Sequence, residues 1–381
     1  MARALVIGTV ETKGAAIGAL VHALELAGLS VKVLDISLKC AGNALSAEDK
    51  LARIEQRGAA AATEIAAQID DFQIAIGIGG GTGGEIALGA LKGLPASYPK
   101  MLITTMAFDP RAALADSSIT LVPTLCDIEG INAMLAQVLA NSAAMAAALV
   151  KAPKIMPSNR PAIAMTTLGA TGAAGAQIAE ALDARGFEAT VFHANGFGGA
   201  ALSQFIREGR AIGLIDLNVH ELGRMRLAGA HAPMPGRFTS GADIPRVVLP
   251  GALNFLGLGS IDTINPAHLA RPHYRHSGHF THVKLTKSEM AEQSLALAAF
   301  LNTSRAPCRV LIPMGGFSNE DRPGGMIEDE SLRQIAASTL EGAAESYTVT
   351  RLPHHINAPE TALAAVDAMT ETLDAGVHQD A

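Results

Sequence analysis

The residues best suited to chemistry in this 381-residue chain are a block of five glycines and one threonine. An apolar run, Ile74-Ala-Ile-Gly-Ile78, stops at Gly79-Gly-Gly-Thr-Gly-Gly84, and Glu85-Ile-Ala-Leu-Gly-Ala-Leu91 resumes a helix-like pattern. That order reads as strand, glycine loop and helix. Glycines permit positive φ and let a ligand approach the backbone, and the free amides of a helix start attract an anion. A P-loop needs Gly-Lys-Ser/Thr where this chain has Gly84-Glu85-Ile86, so the block is not a Walker A motif. Gly79, Gly81 and Gly84 satisfy G-x-G-x-x-G, but a ribose-binding acid about twenty residues on would fall in the apolar strand around Thr104, which argues against NAD. Two readings remain open: a turn that lets a helix pack closely on a sheet, or a cradle for a phosphate or carboxylate. Six consecutive small residues, with Thr82 the hydroxyl among them, favour the cradle of Gly80, Gly81, Thr82 and Gly83.

A second loop, Gly8-Thr-Val-Glu-Thr-Lys-Gly14, brings two hydroxyls and one lysine to the carboxyl end of an earlier strand. Loops at that end of a parallel sheet line one crevice, so both can face one ligand. Thr12 and Lys13 are then candidate anion partners, with Thr104 completing the set, although a lysine at a helix start is equally well explained by solvation. The second half carries its own candidates. His193 lies at a strand end, where it suits a general base or ligand. Asp216, His220 and Glu221 span a strand-to-helix turn and could converge on a metal, while the helix dipole alone also accounts for Glu221. Arg271-Pro-His-Tyr-Arg-His-Ser-Gly-His-Phe-Thr-His282 spaces four histidines by three. Pro272 and Gly278 argue against a helix there, and the spacing matches no zinc motif.

Positioning these loops requires alternating strands and helices. Ala4–Val10, Val31–Ile36, Ile74–Ile78, Lys100–Ala107 and Ile119–Val122 read as strands, with helices at Ile17–Ala27 and Ala47–Ile69 and an alanine-rich helix running to Lys151. Asp127 and Asn132 stand at N-cap positions before that last helix. The fold class is α/β: two Rossmann-like domains, each a mainly parallel sheet flanked by helices. Lys151-Ala-Pro-Lys-Ile-Met-Pro-Ser-Asn-Arg-Pro161 reads as the linker, giving residues 1–157 as an N-terminal nucleotide-binding α/β domain and 158–381 as a C-terminal α/β domain. A shift of 158 places Gly8–Gly14 on Thr166-Thr-Leu-Gly-Ala-Thr-Gly172, Leu24 on Leu182 and Gly28 on Gly186, an internal repeat. Strands follow near 162–165, 189–192, 212–217, 247–249, 283–285, 309–312 and 347–352, with helices over 288–301, 331–345 and 361–373. The chain is 49% hydrophobic and 17% charged, with net charge -7 and no basic run, which speaks against nucleic acid as a direct partner. Cys40, Cys126 and Cys308 are an odd, scattered set that suits reduced thiols. No signal-like segment leads the chain and the apolar runs read as too broken to cross a bilayer, so the expectation is a cytoplasmic protein with no membrane partner.

Taken in order, Gly8–Gly14, the Gly79–Gly84 block, His193-Ala-Asn-Gly-Phe-Gly-Gly199, Gly251-Ala-Leu253, Gly315-Gly-Phe-Ser318 with Asp321-Arg-Pro-Gly324, and His355-Ile-Asn357 resemble the Tm-1-like ATP-binding family, also called UPF0261. The resemblance implies two Rossmann-like domains, ATP, with or without Mg2+, in the first, and a homodimer; a plant member inhibits viral RNA replication. Where the family pattern is Thr-Leu-Asp-Thr-Lys-Gly, this chain keeps the acid as Glu11. Asn254 and Ala358 stand where many relatives carry Asp, which removes two carboxylates from any cation site there. His279 aligns with a histidine of relatives and is the preferred member of its cluster. The leading expectation is a cytosolic ATP-binding protein whose glycine loop holds the phosphates or another anionic small molecule. The alternative is a small-molecule enzyme, a hydrolase or lyase acting on an organic acid or acyl compound between the two domains, with His193, His220, Glu221 or His279 as base or ligand.

Overall fold

A computed structural model describes residues 2–38, 46–105, 107, 109, 111–153 and 158–377. Cys40 and part of the expected linker, 154–157, lie outside the described residues. The chain divides into two compact units, Met1–Met156 and Pro157–Ala381.

The first unit runs β1 (Arg3–Gly8), α1 (Val10–Leu26), β2 (Ser30–Asp35), α2 (Ala47–Ala66), β3 (Ile74–Gly79), α3 (Gly81–Lys92), β4 (Lys100–Thr104), α4 (Arg111–Leu114), β5 (Thr120–Pro123) and α5 (Ala133–Lys151). Its strands form a parallel sheet in the order β2-β1-β3-β4-β5. Ala4 and Val6 of β1 face a cluster with Leu20, Leu24, Leu135 and Leu139 of α1 and α5. Leu5 and Ile7 face the opposite cluster, with Ile65, Ile86 and Leu91 of α2 and α3. Helices thus cover both faces, which is why the central strands read as unbroken apolar runs rather than alternating ones. The α5 helix begins where the Asn132 side chain accepts a hydrogen bond from Leu135 N at 2.9 Å. Contrary to the expectation of broken apolar runs, α5 has the length and mean hydropathy, 1.7, to cross a membrane; here its Leu135, Leu139, Ala143 and Ala146 pack into the core.

The second unit comprises β6 (Ala162–Thr167), α6 (Gly172–Ala184), β7 (Glu188–His193), α7 (Gly198–Arg207), β8 (Gly213–Asn218), α8 (Glu221–Arg226), β9 (Arg246–Gly251), β10 (Phe255–Leu258), α9 (Pro266–Leu269), β11 (His273–Arg275), β12 (Thr281–Lys284), α10 (Lys287–Leu301), β13 (Cys308–Pro313), α11 (Glu330–Gly342), β14 (Thr348–Leu352) and α12 (Pro359–Val377). Six strands make a parallel sheet in the order β14-β13-β9-β8-β6-β7. An antiparallel sheet, β10-β12-β11, is an addition that the sequence pattern did not suggest. It carries the histidine-rich stretch: His273 and His282 lie in strands, and His279 lies in the exposed turn between them.

The 158-residue repeat is structural. The same shift carries β2 onto β7 residue for residue. Gly28 and Gly186 both close a helix in the left-handed region, at φ 87 and 84. Each is followed by the same hydrogen bond, Leu29 N to Leu24 O and Phe187 N to Leu182 O, both 3.0 Å. These are helix ends that glycine satisfies because a Cβ is penalised at positive φ. A Cβ at either position would touch nothing within 4 Å, so the backbone alone sets the cost. Gly28→Ala and Gly186→Ala are each expected to destabilise by about 1–2 kcal/mol. Gly89→Ala, an equally open site inside α3, should be neutral or stabilising. Urea unfolding of the three variants checks this, and equal effects at all three would contradict it.

Candidate functional site

In the first sheet, β1 and β3 are neighbours, but the helices that follow them cover opposite faces. Their carboxyl-end loops therefore part, and the crevice between them is where open parallel sheets bind ligands. A cavity of about 880 Å³ sits there. One wall is the β1–α1 turn with Thr9, Glu11, Thr12 and Lys13; another is Gly80, Gly81, Thr82 and Gly83; Ser37, Leu38, Thr105, Ala107, Leu125, Cys126 and Asp127 complete it.

The glycine block does two jobs. A Cβ at Gly79 would lie 2.5 Å from Gly83 C and Gly84 N, so Gly79 is needed for α3 to fold back over the end of β3. At Gly80 and Gly81 a Cβ would find ordinary contacts, 3.7 Å to Thr105 Oγ1 and 3.8 Å to Ala107 Cβ. Packing does not require glycine at these two positions. None of Gly79–Gly84 adopts positive φ, so the left-handed freedom expected of them is not what they supply; close backbone approach is. The first α-helical bond of α3 runs from Gly84 N to Gly80 O at 2.8 Å. The amides of Gly81, Thr82 and Gly83 therefore precede the ladder, and Gly80 as N-cap offers them no side chain.

Opposite, Lys13 breaks the helical geometry of α1 at φ -124, ψ 21, and its Nζ donates to Glu129 Oε2 at 3.1 Å. Thr9 and Thr12 pair their hydroxyls at 2.9 Å. Val10 N donates to Asp35 Oδ1 and Glu11 N to Ser37 Oγ, both at 3.1 Å, so these amides are already engaged. The structure thus brings together Thr12, Lys13, Gly80, Gly81, Thr82 and Gly83. Thr104 is not in the wall: it is buried, and its carbonyl accepts from Thr124 N at 3.0 Å, while Thr105 faces the cavity. Sequence reasoning missed Ser37 and Leu125, whose only signal was their place just after strand ends, and read Asp127 as a helix cap, whereas Asn132 caps α5 and Asp127 lines the cavity.

The second-unit candidates are dispersed. Asp216 and Glu221 do not form a metal site with His220, as the sequence suggested they could, because both carboxylates are committed to Arg237. Arg237 grips Asp216 through two 2.8 Å bonds and Glu221 through one of 2.5 Å, all fully buried. The other Glu221 oxygen accepts from Gly196 N and Gly199 N at 3.0 Å. Burial pushes the Asp216 carboxyl up, but the guanidinium outweighs it and holds the group below the usual range. Such a triad tolerates no loss of one partner, since a buried charge would be stranded. Among the described residues no group of three His, Cys, Asp or Glu side chains could hold a metal.

His220 is buried, with Nδ1 3.1 Å from Ala252 O and its ring 4.7 Å from Phe255. His282 accepts its place between Phe255 and His276 in a ring stack, with Nδ1 2.7 Å from Tyr274 Oη. His193 stands exposed on the edge strand β7, beside a cavity of about 370 Å³ shared with Thr167 and Gly172, and His279 is exposed in the hairpin turn.

Burial, and then neighbouring positive groups, push both His220 and His282 down to about 3. Each ring is therefore neutral when folded, while the unfolded chain takes up a proton below about pH 6.5. Their contribution to stability is complete above that pH and is lost as the pH falls towards 3, by up to about 1.4 kcal/mol per pH unit for each ring. Denaturant unfolding of the second unit between pH 7 and 4 should show this fall, and His282→Phe, which keeps the ring stack, should make it shallower. An unchanged slope would contradict the assignment.

Comparison with known proteins agrees with this architecture. Residues 2–154 match the N-terminal domain, and 160–373 the C-terminal domain, of the Uncharacterised protein family (UPF0261). A UPF0261 protein of Rhizobium meliloti (strain 1021) is 30% identical over 393 residues, spanning 97% of this chain and 98% of that one. One from Clostridium tetani (strain Massachusetts / E88) is 28% identical over 402 residues, spanning 97% and 98%. The ToMV resistance protein Tm-1(GCR237) of Solanum lycopersicum is 29% identical over 315 residues, which are 80% of this chain and 42% of the tomato protein. With both halves matched in order, the chain belongs to the UPF0261 family, which has homologues among the tomato Tm-1 proteins.

Proposed function

We propose that this chain is an ATP-binding protein of the cytoplasm and that its ligand lies in the cavity between the β1–α1 and β3–α3 loops. The observation that carries the reading is the pairing of three unladdered amides, at Gly81, Thr82 and Gly83, with two glycines whose missing Cβ atoms the packing does not need. Backbone amides at the start of a twelve-residue helix suit phosphate oxygens, and Thr12 and Lys13 add a hydroxyl and a positive charge from the opposite wall. Leu38, Ala107 and Leu125 give the same cavity an apolar side suited to a base. Glu11 and Asp127 would repel a bare polyphosphate. They fit one that arrives with Mg2+, an ion usually held by one or two carboxylates together with substrate phosphates. The free thiols Cys126 and Cys308 fit a reducing compartment.

Calorimetric titration with ATP, with and without Mg2+, tests the reading against Gly81→Val. The parent should bind more tightly with Mg2+. The variant should lose about tenfold or more in affinity, equivalent to about 1.4 kcal/mol, while its urea midpoint stays near the parent's. A parent that binds no ATP, or a folded variant that binds it equally well, would overturn the proposal.

A further inference from the structure

We infer that Glu129 competes with the ligand for Lys13, so that its carboxylate occupies the ammonium until a phosphate displaces it; this rests on the nucleotide reading above. Lys13 lines the cavity with its side chain mostly shielded, whereas its partner Glu129 is 80% exposed. The pair at 3.1 Å spans from the β1–α1 turn to the loop joining β5 to α5. That loop is fixed by the fold rather than by the ion pair. Thr124 N donates to Thr104 O at 3.0 Å, Ile128 is buried in the core at 1% exposure, and Asn132 caps α5. Leu125 and Gly130 take left-handed backbone, φ 60 and 66, on either side of the buried Ile128. Glu129 therefore follows directly on an anchored residue, which keeps its backbone within reach of Lys13.

An ion pair with one partner this exposed contributes little to folding, so its main consequence is the charge that it offsets. With Glu129 in place, part of the Lys13 positive charge is offset before an anion arrives. A phosphate dianion can outcompete a single carboxylate for the ammonium, whereas a lone carboxylate ligand gains little by the exchange. The arrangement favours a strongly charged polyphosphate over a weak organic anion in the same crevice.

The experiment is a double-mutant cycle read by calorimetry with ATP and with inorganic tripolyphosphate, each supplied with Mg2+, using the full chain. Glu129→Gln should tighten binding of both by about twofold to fivefold. In a Lys13→Met background, the same substitution should change affinity by less than half as much on a logarithmic scale. Equal tightening in both backgrounds would show that Glu129 merely repels anions through space, and unchanged affinity in Glu129→Gln would show no competition; either overturns the inference and leaves the nucleotide site standing. A parent that binds neither probe defeats the nucleotide reading and this inference with it.

Discussion

A parallel sheet sends every strand's carboxyl end, and the amino end of every helix that follows, to the same edge. Each helix start leaves amides outside its own ladder, and at most of them a side chain or a neighbouring loop must answer. The first unit depends on how this obligation is met. At α5 the Asn132 side chain caps the helix, and at the start of α1 Asp35 and Ser37 take the amides of Val10 and Glu11. At α3 the cap is a glycine without a side chain, placed where the β1 and β3 loops diverge around a cavity.

The second unit meets the same obligation with its own residues. Its β6 and β8 ends are bridged by Thr166, which donates to Asp216 and accepts from Asn218 N, and Glu221 takes the amides of Gly196 and Gly199. Here the glycines are dictated by packing. A Cβ at Gly199 would strike Arg237 and Glu221, one at Gly251 would strike Leu217 O, and one at Gly315 would lie 2.5 Å from His355 N. Motifs that look alike in sequence therefore serve opposite ends. Gly80 and Gly81 leave room at the cavity, while Gly199 makes room for the buried Arg237 and Glu221 side chains.

Much of the architecture was legible because buried parallel strands are uninterrupted apolar runs, and because helix ends such as Gly28 and Gly186 carry a local signal. The cavity was legible in part: the glycine loop and the Lys13 turn could be placed on adjacent strand ends from their order alone. Thr105 was missed in favour of Thr104 because one residue of register decides which side chain leaves the strand into the crevice. The Asp216–Glu221 pairing with Arg237 could not be read, since Arg237 lies in an aperiodic stretch and only tertiary folding brings it under the sheet edge. The strand near 283–285 was legible as part of β12, but its antiparallel pairing with β11 was not, because β11 is only three residues, His273–Arg275, with no β-branched side chain.

The most direct test of the central claim is an NMR titration of glycine-labelled protein with Mg-ATP, following every glycine amide at once. The account predicts saturable shifts at Gly80, Gly81 and Gly83, with Gly196, Gly199, Gly315 and Gly316 unmoved. Shifts confined to the second-unit glycines, or no shifts at all, would contradict it.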